Sequence, residues 1–124
     1  MRRRPAIILV LLALIAGCAL VSQSLFVGPT KSELCRALGR DPGTDPQCKY
    51  TDGVLQLLEA SFPVGRATRG QVRSALGQYF IDSYPRAIGG FDESYVVQKT
   101  ILTPVQAIFS FDKNDILVSI VIED

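Results

Sequence analysis

The chain contains no histidine. That absence removes the usual general base near neutral pH and the commonest metal ligand together. Three cysteines, Cys18, Cys35 and Cys48, are too few and too widely spaced for a zinc site, so neither a metal nor another cofactor is expected. A serine nucleophile would need a base, and none is evident, so the chain is expected not to be an enzyme. An excess of charge is missing as well. Thirteen basic residues face twelve acidic ones, and the surplus depends on Arg2, Arg3 and Arg4. Without those three, ten basic residues face twelve acidic ones, which leaves no electrostatic footprint for nucleic acid.

What is present begins with the amino terminus. Arg2 to Arg4 precede an unbroken apolar run from Ala6 to Ala16, and Ile15-Ala16-Gly17-Cys18 follows with small residues. A charged start, a short apolar core and a small-residue end make an export signal. The last four residues resemble the lipobox of bacterial lipoproteins, which implies cleavage after residue 17 and a diacylglyceryl group on Cys18. The alternative is an uncleaved anchor over residues 6–27. Ala6 to Val21 is short of the roughly 20 residues a spanning helix needs, but tolerating Ser22, Gln23 and Ser24 extends the run to Val27. Either way the arginines stay cytoplasmic and the rest of the chain faces the periplasm or exterior. The expected address is the cell membrane or outer membrane, through a lipid or a helix. Residues 18–29 would then be a lipidated cysteine and tether, and residues 30–124 a single domain.

Local signals place the elements of that domain. Thr30-Lys31-Ser32-Glu33 has the form of a capping box and opens a short helix through Leu38, with Gly39 as a left-handed stop. Arg40 to Tyr50, rich in Pro, Gly and Asp, reads as a loop. Asp52 is placed to cap a second helix whose stripe is Val54, Leu55, Leu57, Leu58 and Phe62, ended by Pro63. Thr68 and Gln71 form another capping box, and Val72, Ala75 and Leu76 face inward. Gln78 to Phe91 reads as a surface loop with a helical start. Ser94 to Leu102 reads as a strand. Val105, Ala107, Phe109 and Phe111 alternate with Gln106 and Ser110 in the next, Asp112–Asp115 turns, and Ile116, Val118, Ile120 and Ile122 share a face of the last. With Leu117 and Val121 on its other face, that last strand is expected to be central or covered. The expected fold is α+β: an N-terminal signal or anchor helix, then two to three short helices packed on a three-stranded antiparallel sheet.

Cys35 and Cys48, thirteen residues apart and outside the cytoplasm, are expected to form a disulfide. No C-x-x-C motif suggests a redox role instead.

The stretch from Phe62 to Gly77, with Gly65, Thr68, Gln71-Val72 and Leu76-Gly77, resembles the SmpA/OmlA (BamE-like) family of small bacterial lipoproteins. The same helix–loop–sheet unit occurs in β-lactamase-inhibitor-like proteins. The resemblance implies a lipidated N-terminal cysteine, two helices and a three-stranded antiparallel sheet, with a role in envelope maintenance or outer-membrane protein assembly. This chain departs from the family in carrying Gln78 where a proline often follows Leu-Gly, and in its additional cysteine-bearing helix.

Two clusters are candidate partner-binding residues. Arg66, Arg69 and Arg73 gather at the start of the third helix, where cations oppose the helix dipole. Tyr79, Phe80 and Tyr84 lie near Arg86 and Gly89-Gly90 in an aromatic stretch of the kind found at interfaces. The functional expectation is a membrane-tethered, non-enzymatic interaction module that meets another envelope protein. An inhibitor or immunity-type protein acting on an envelope enzyme or toxin is the alternative, as is an uncleaved single-pass membrane protein.

Overall fold

A computed structural model of the protein describes residues 26–51, 53–101 and 103–123. The export signal or anchor helix, the lipobox, Cys18, Asp52 and Leu102 therefore lie outside the described residues. The elements run β1 (Phe26–Val27), α1 (Lys31–Ala37), α2 (Pro46–Tyr50), α3 (Val54–Ser61), α4 (Arg69–Leu76), a 3₁₀ turn (Gly77–Tyr79), β2 (Phe80–Pro85), β3 (Phe91–Gln98), β4 (Thr100–Ile101), β5 (Val105–Phe111) and β6 (Leu117–Glu123). The architecture is α+β, with an antiparallel four-stranded sheet in the order β2-β3-β5-β6. Among the described residues no helix is long and apolar enough to cross a membrane.

Both capping boxes form. Thr30 accepts from the Glu33 amide while the Glu33 side chain accepts from the Thr30 amide, and Thr68 and Gln71 do the same for α4. Gly39 ends α1 with φ +74°, the left-handed geometry that ends helices. The Cys35–Cys48 disulfide is present, with Cα atoms 6.2 Å apart, and joins α1 to α2. Both cysteines are buried among Leu34, Leu57 and Leu58.

Several expectations are corrected. The segment read as a loop from Arg40 to Tyr50 holds α2, which Asp45 caps and Pro46 opens. Proline suits the first helical position because its missing amide would be unpaired there anyway. Gly53, rather than Asp52, occupies the N-cap of α3 and offers no side-chain acceptor. The segment Gln78 to Phe91 is not a loop. It supplies β2, a fourth strand, and the hairpin that returns to β3, which starts at Phe91 rather than Ser94. The end of the expected tether, Phe26–Val27, pairs with β4. Gly28 follows with φ +98°, where a Cβ would collide with the carbonyl of Gln98.

The last strand is corrected in two respects. It lies at an edge of the sheet, not at its centre. A bulge also breaks the expected Ile116-Val118-Ile120-Ile122 face: Ser110 pairs with Ser119 but Phe111 pairs with Leu117, so Val118 is the extra residue. Leu117 turns into the core in its place, in line with Ile120 and Ile122.

The core lies between the helices and one face of the sheet. Leu34, Leu57, Leu58, Phe62, Val72 and Leu76 from the helical side meet Tyr95, Val97, Ala107, Phe109, Phe111 and Leu117. Phe109 is the hub, edge-on to both Phe62 and Tyr95.

Candidate functional site

The Thr68–Gln71 capping box fixes where α4 starts, which sets Arg69 and Arg73 one turn apart above β3. Beneath them Glu93 is fully buried. Arg69 donates from Nε to Glu93 Oε2 at 3.1 Å, and Arg73 donates from Nη2 to the same oxygen at 2.8 Å. Arg73 Nε donates to the Tyr95 hydroxyl at 3.1 Å, and that hydroxyl donates to Glu93 Oε1 at 3.3 Å. Each guanidinium lies over an aromatic ring: Arg69 is 4.1 Å from the centre of Phe91, and Arg73 is 3.8 Å from that of Phe80. Asp115 adds a longer ion pair to Arg69 at 3.8 Å.

The electrostatics follow from this geometry. Burial pushes the Glu93 carboxyl pKa upward, but hydrogen bonding and charge from the two arginines outweigh it and hold the group below its ordinary value. Ser83 lies opposite Glu93 in the strand register, and its buried hydroxyl has no partner in hydrogen-bonding geometry. The hydrogen bond to Tyr95, ahead of the opposing effect of burial, raises the Arg73 pKa. Burial, more than the neighbouring charges, raises that of Tyr95. Glu93 is therefore a fixed anion, and a carboxylate kept ionised below its ordinary range is a poor proton donor. The cluster is built to hold α4 on the sheet.

The six candidate partner-binding residues do not form one patch. Arg69 and Arg73 are engaged by Glu93. Arg66 is exposed in the turn before α4, beside a shallow depression lined by Ser61, Phe62, Pro63 and Gln71. Tyr79 packs against the core, and burial followed by the nearby charge of Glu33 raises its pKa. Arg86 braces the β2–β3 hairpin, donating to the Phe111 carbonyl at 3.1 Å and pairing with Asp92 at 3.5 Å. Tyr84 stands on the opposite face of the sheet, 56% exposed, and donates its hydroxyl to Asp82.

That opposite face is the second feature of the site. The strand registers arrange it in three rows: Asp82, Ser94, Ile108 and Val121; Tyr84, Asp92, Ser110 and Ser119; and Val96, Gln106 and Glu123. None of the described helices contributes a core side chain to it. Val96, Ile108 and Val121 form an aliphatic centre, in which Val121 is exposed, Ile108 half-buried and Val96 close against Gly28, while Ser94 between them is buried. Asp82, Asp92 and Glu123 lie around it, with Arg86 a neighbouring cation. Sequence reasoning missed most of these residues, because with β2 read as a loop the face lacked one of its strands. The alternation of Gln106, Ile108 and Ser110 against the core residues of β5 was the available signal. No protein-family model, curated protein or solved structure matches the chain.

Proposed function

We propose that this protein is a membrane-tethered extracytoplasmic interaction module, non-enzymatic, that docks another envelope protein on the open face of its sheet. The observation that carries the reading is that face, with its aliphatic centre, the exposed ring of Tyr84 and a rim of three carboxylates. Exposed apolar side chains rimmed by polar residues are the mark of a surface that is covered in use. Charge complementarity makes the partner's surface apolar at its centre and basic around it. The disulfide favours an oxidising compartment outside the cytoplasm. The lipobox-like Ile15-Ala16-Gly17-Cys18 supports a lipid on Cys18, as in the SmpA/OmlA-type lipoproteins that the chain resembles.

The test is site-specific photo-crosslinking in intact membranes. A photoreactive side chain at Ile108 should capture one envelope protein, with the yield falling as salt is raised and screens the acidic rim. Tyr84→Ala should reduce capture strongly. Equal capture from Gln71, on the helical side, would overturn the assignment of the face. Mass spectrometry of the mature amino terminus tests the anchor: a diacylated Cys18 is expected, and an unmodified Met1 on membrane-bound protein would replace the lipid with a helix.

A further inference from the structure

The two edges of the sheet are treated differently. Along β2, the Arg86 amide donates to the Gly90 carbonyl at 3.0 Å, so by alternation Tyr84 and Asp92 are the next hydrogen-bonded pair and the backbone groups of Ser83 and Pro85 turn outward. Neither offers a free donor: the Ser83 amide donates to Asp82 Oδ1 at 2.9 Å, and proline has no N–H. That edge is blunted against strand addition. Along β6 the outward groups are found from Leu117. Its amide donates to the Ala67 carbonyl, and its carbonyl accepts from the Gly65 amide, both at 2.8 Å. Residues on one face of a strand direct their backbone groups to one edge. Past the Val118 bulge, Ile120 and Ile122 lie opposite Phe109 and Ala107, the same alternate positions of β5 as Phe111 opposite Leu117, so their N–H and C=O groups also point outward. Among the described residues nothing pairs with them. From Ile116 to Ile122 this edge carries no charge and no proline, and Val121 is 49% exposed. Beyond the Val118 bulge and the Gly65–Ala67 strap at its upper end, the lower half from Ile120 to Ile122 carries none of the usual protections among the described residues.

We propose that the outer edge of β6 is a self-association site that takes β6 of a second copy of this chain, antiparallel, with Val121 on the two-fold axis. In this register Ile120 lies opposite Ile122 of the second copy, and Ile122 opposite its Ile120. Four backbone hydrogen bonds then satisfy the groups left unpaired at both edges. The pairing is self-complementary, as a two-fold interface must be. On the core face it sets isoleucine beside isoleucine. On the open face the Ile108–Val121 pair continues across the axis into the same pair of the second copy. Charge selects the direction: parallel pairing would set Glu123 beside Glu123, whereas the antiparallel register sets each against a serine, Ser119. The strap from Gly65 to Ala67 already covers the upper edge at Leu117 and limits the contact to the lower half of the strand. So short a contact buries less than the roughly 1,200 Å² of a stable interface, so the dimer is weak and depends on concentration.

The test uses the full-length chain reconstituted in lipid vesicles at increasing protein-to-lipid ratio. Val121→Cys brings two thiols together at the axis, where a non-hydrogen-bonded antiparallel pair has Cα atoms about 4.5 Å apart, within disulfide range. Mild oxidation should give a disulfide-linked dimer at least tenfold above the background of the wild-type chain, which carries the other three cysteines. Ile81→Cys, on the blunted edge, should stay at background. Adding Ile120→Pro removes an outward N–H and should abolish the crosslink. Should that variant unfold, Val121→Lys keeps the proposal testable: sedimentation of the full chain in detergent should show self-association at least tenfold weaker than wild type. Equal crosslinking at Ile81 and Val121, or association unchanged in Val121→Lys, would each overturn the proposal.

Discussion

Replacing Glu93 by glutamine would keep the shape of the side chain and remove its charge. Arg69 and Arg73 would lose an anion but keep access to water, with side chains 29% and 43% exposed. The expected loss is about 1–3 kcal/mol, that of weakened buried hydrogen bonds. The reverse change is harsher. Arg69→Ala with Arg73→Ala would strand a fully buried carboxylate, for which about 3–5 kcal/mol is expected. Urea unfolding of the two variants against wild type checks the order, and equal losses would mean that the carboxylate reaches water. Because pairing holds the folded-state pKa of Glu93 below its unfolded value, its contribution is complete above the unfolded value of about 4.3. It is lost as pH falls from there through the folded value. The stability gap between wild type and Glu93→Gln should therefore be flat near neutral pH and shrink in that acid window. Glu93 itself was not legible as a buried ion. In the sequence it is one of two adjacent acids, Asp92 and Glu93, and which of them is buried depends on strand register, which a loop over Gln78 to Phe91 leaves undefined.

Elements whose determinants are local were legible, and those set by distant partners were not. Both capping boxes, the Gly39 stop and the alternation of β5 are written within a few residues, and each was read correctly. Thr68→Ala should cost about 1 kcal/mol and loosen α4; a thermal melt together with exchange of the Gln71 amide would measure both effects. The disulfide was legible from the cysteine spacing together with the expected compartment. Cys35→Ser with Cys48→Ser should cost about 3 kcal/mol, since the cross-link closes a loop of thirteen residues, and a reductant should reproduce the loss in the wild type. By contrast, β2 carries Pro85 and exposes Ile81, Asp82 and Tyr84, so neither face shows the periodicity of a half-buried strand. Its place in the sheet comes from pairing with β3. The same cause hid the inward turn of Leu117. A bulge at Val118 inverts the register of everything before it, and no local signal in Leu117-Val118-Ser119 announces that.

At the scale of the whole molecule, the protein is a two-layer structure with every described helix on one side, and the two faces of β5 should respond in opposite ways to substitution. Phe109 packs edge-on against Phe62 and Tyr95 and stacks near Phe111, with ring centres 5.8, 5.4 and 6.5 Å away. Phe109→Ala should cost about 3–5 kcal/mol, through lost burial and the cavity it leaves. Its neighbour Ile108 points the other way, between Ser94 and Val121. Ile108→Lys can lay its stem along the sheet and keep its ammonium in water, so its stability should stay within about 1 kcal/mol of wild type. Its effect should fall on binding, because a cation at the centre of a face rimmed by Asp82, Asp92 and Glu123 repels the basic partner that the rim attracts. Denaturant unfolding of the full-length chain in detergent separates the two quantities. A loss for Ile108→Lys comparable to that of Phe109→Ala would mean that the face is already covered within the isolated chain. The surface available to a partner would then contract to the edge strands.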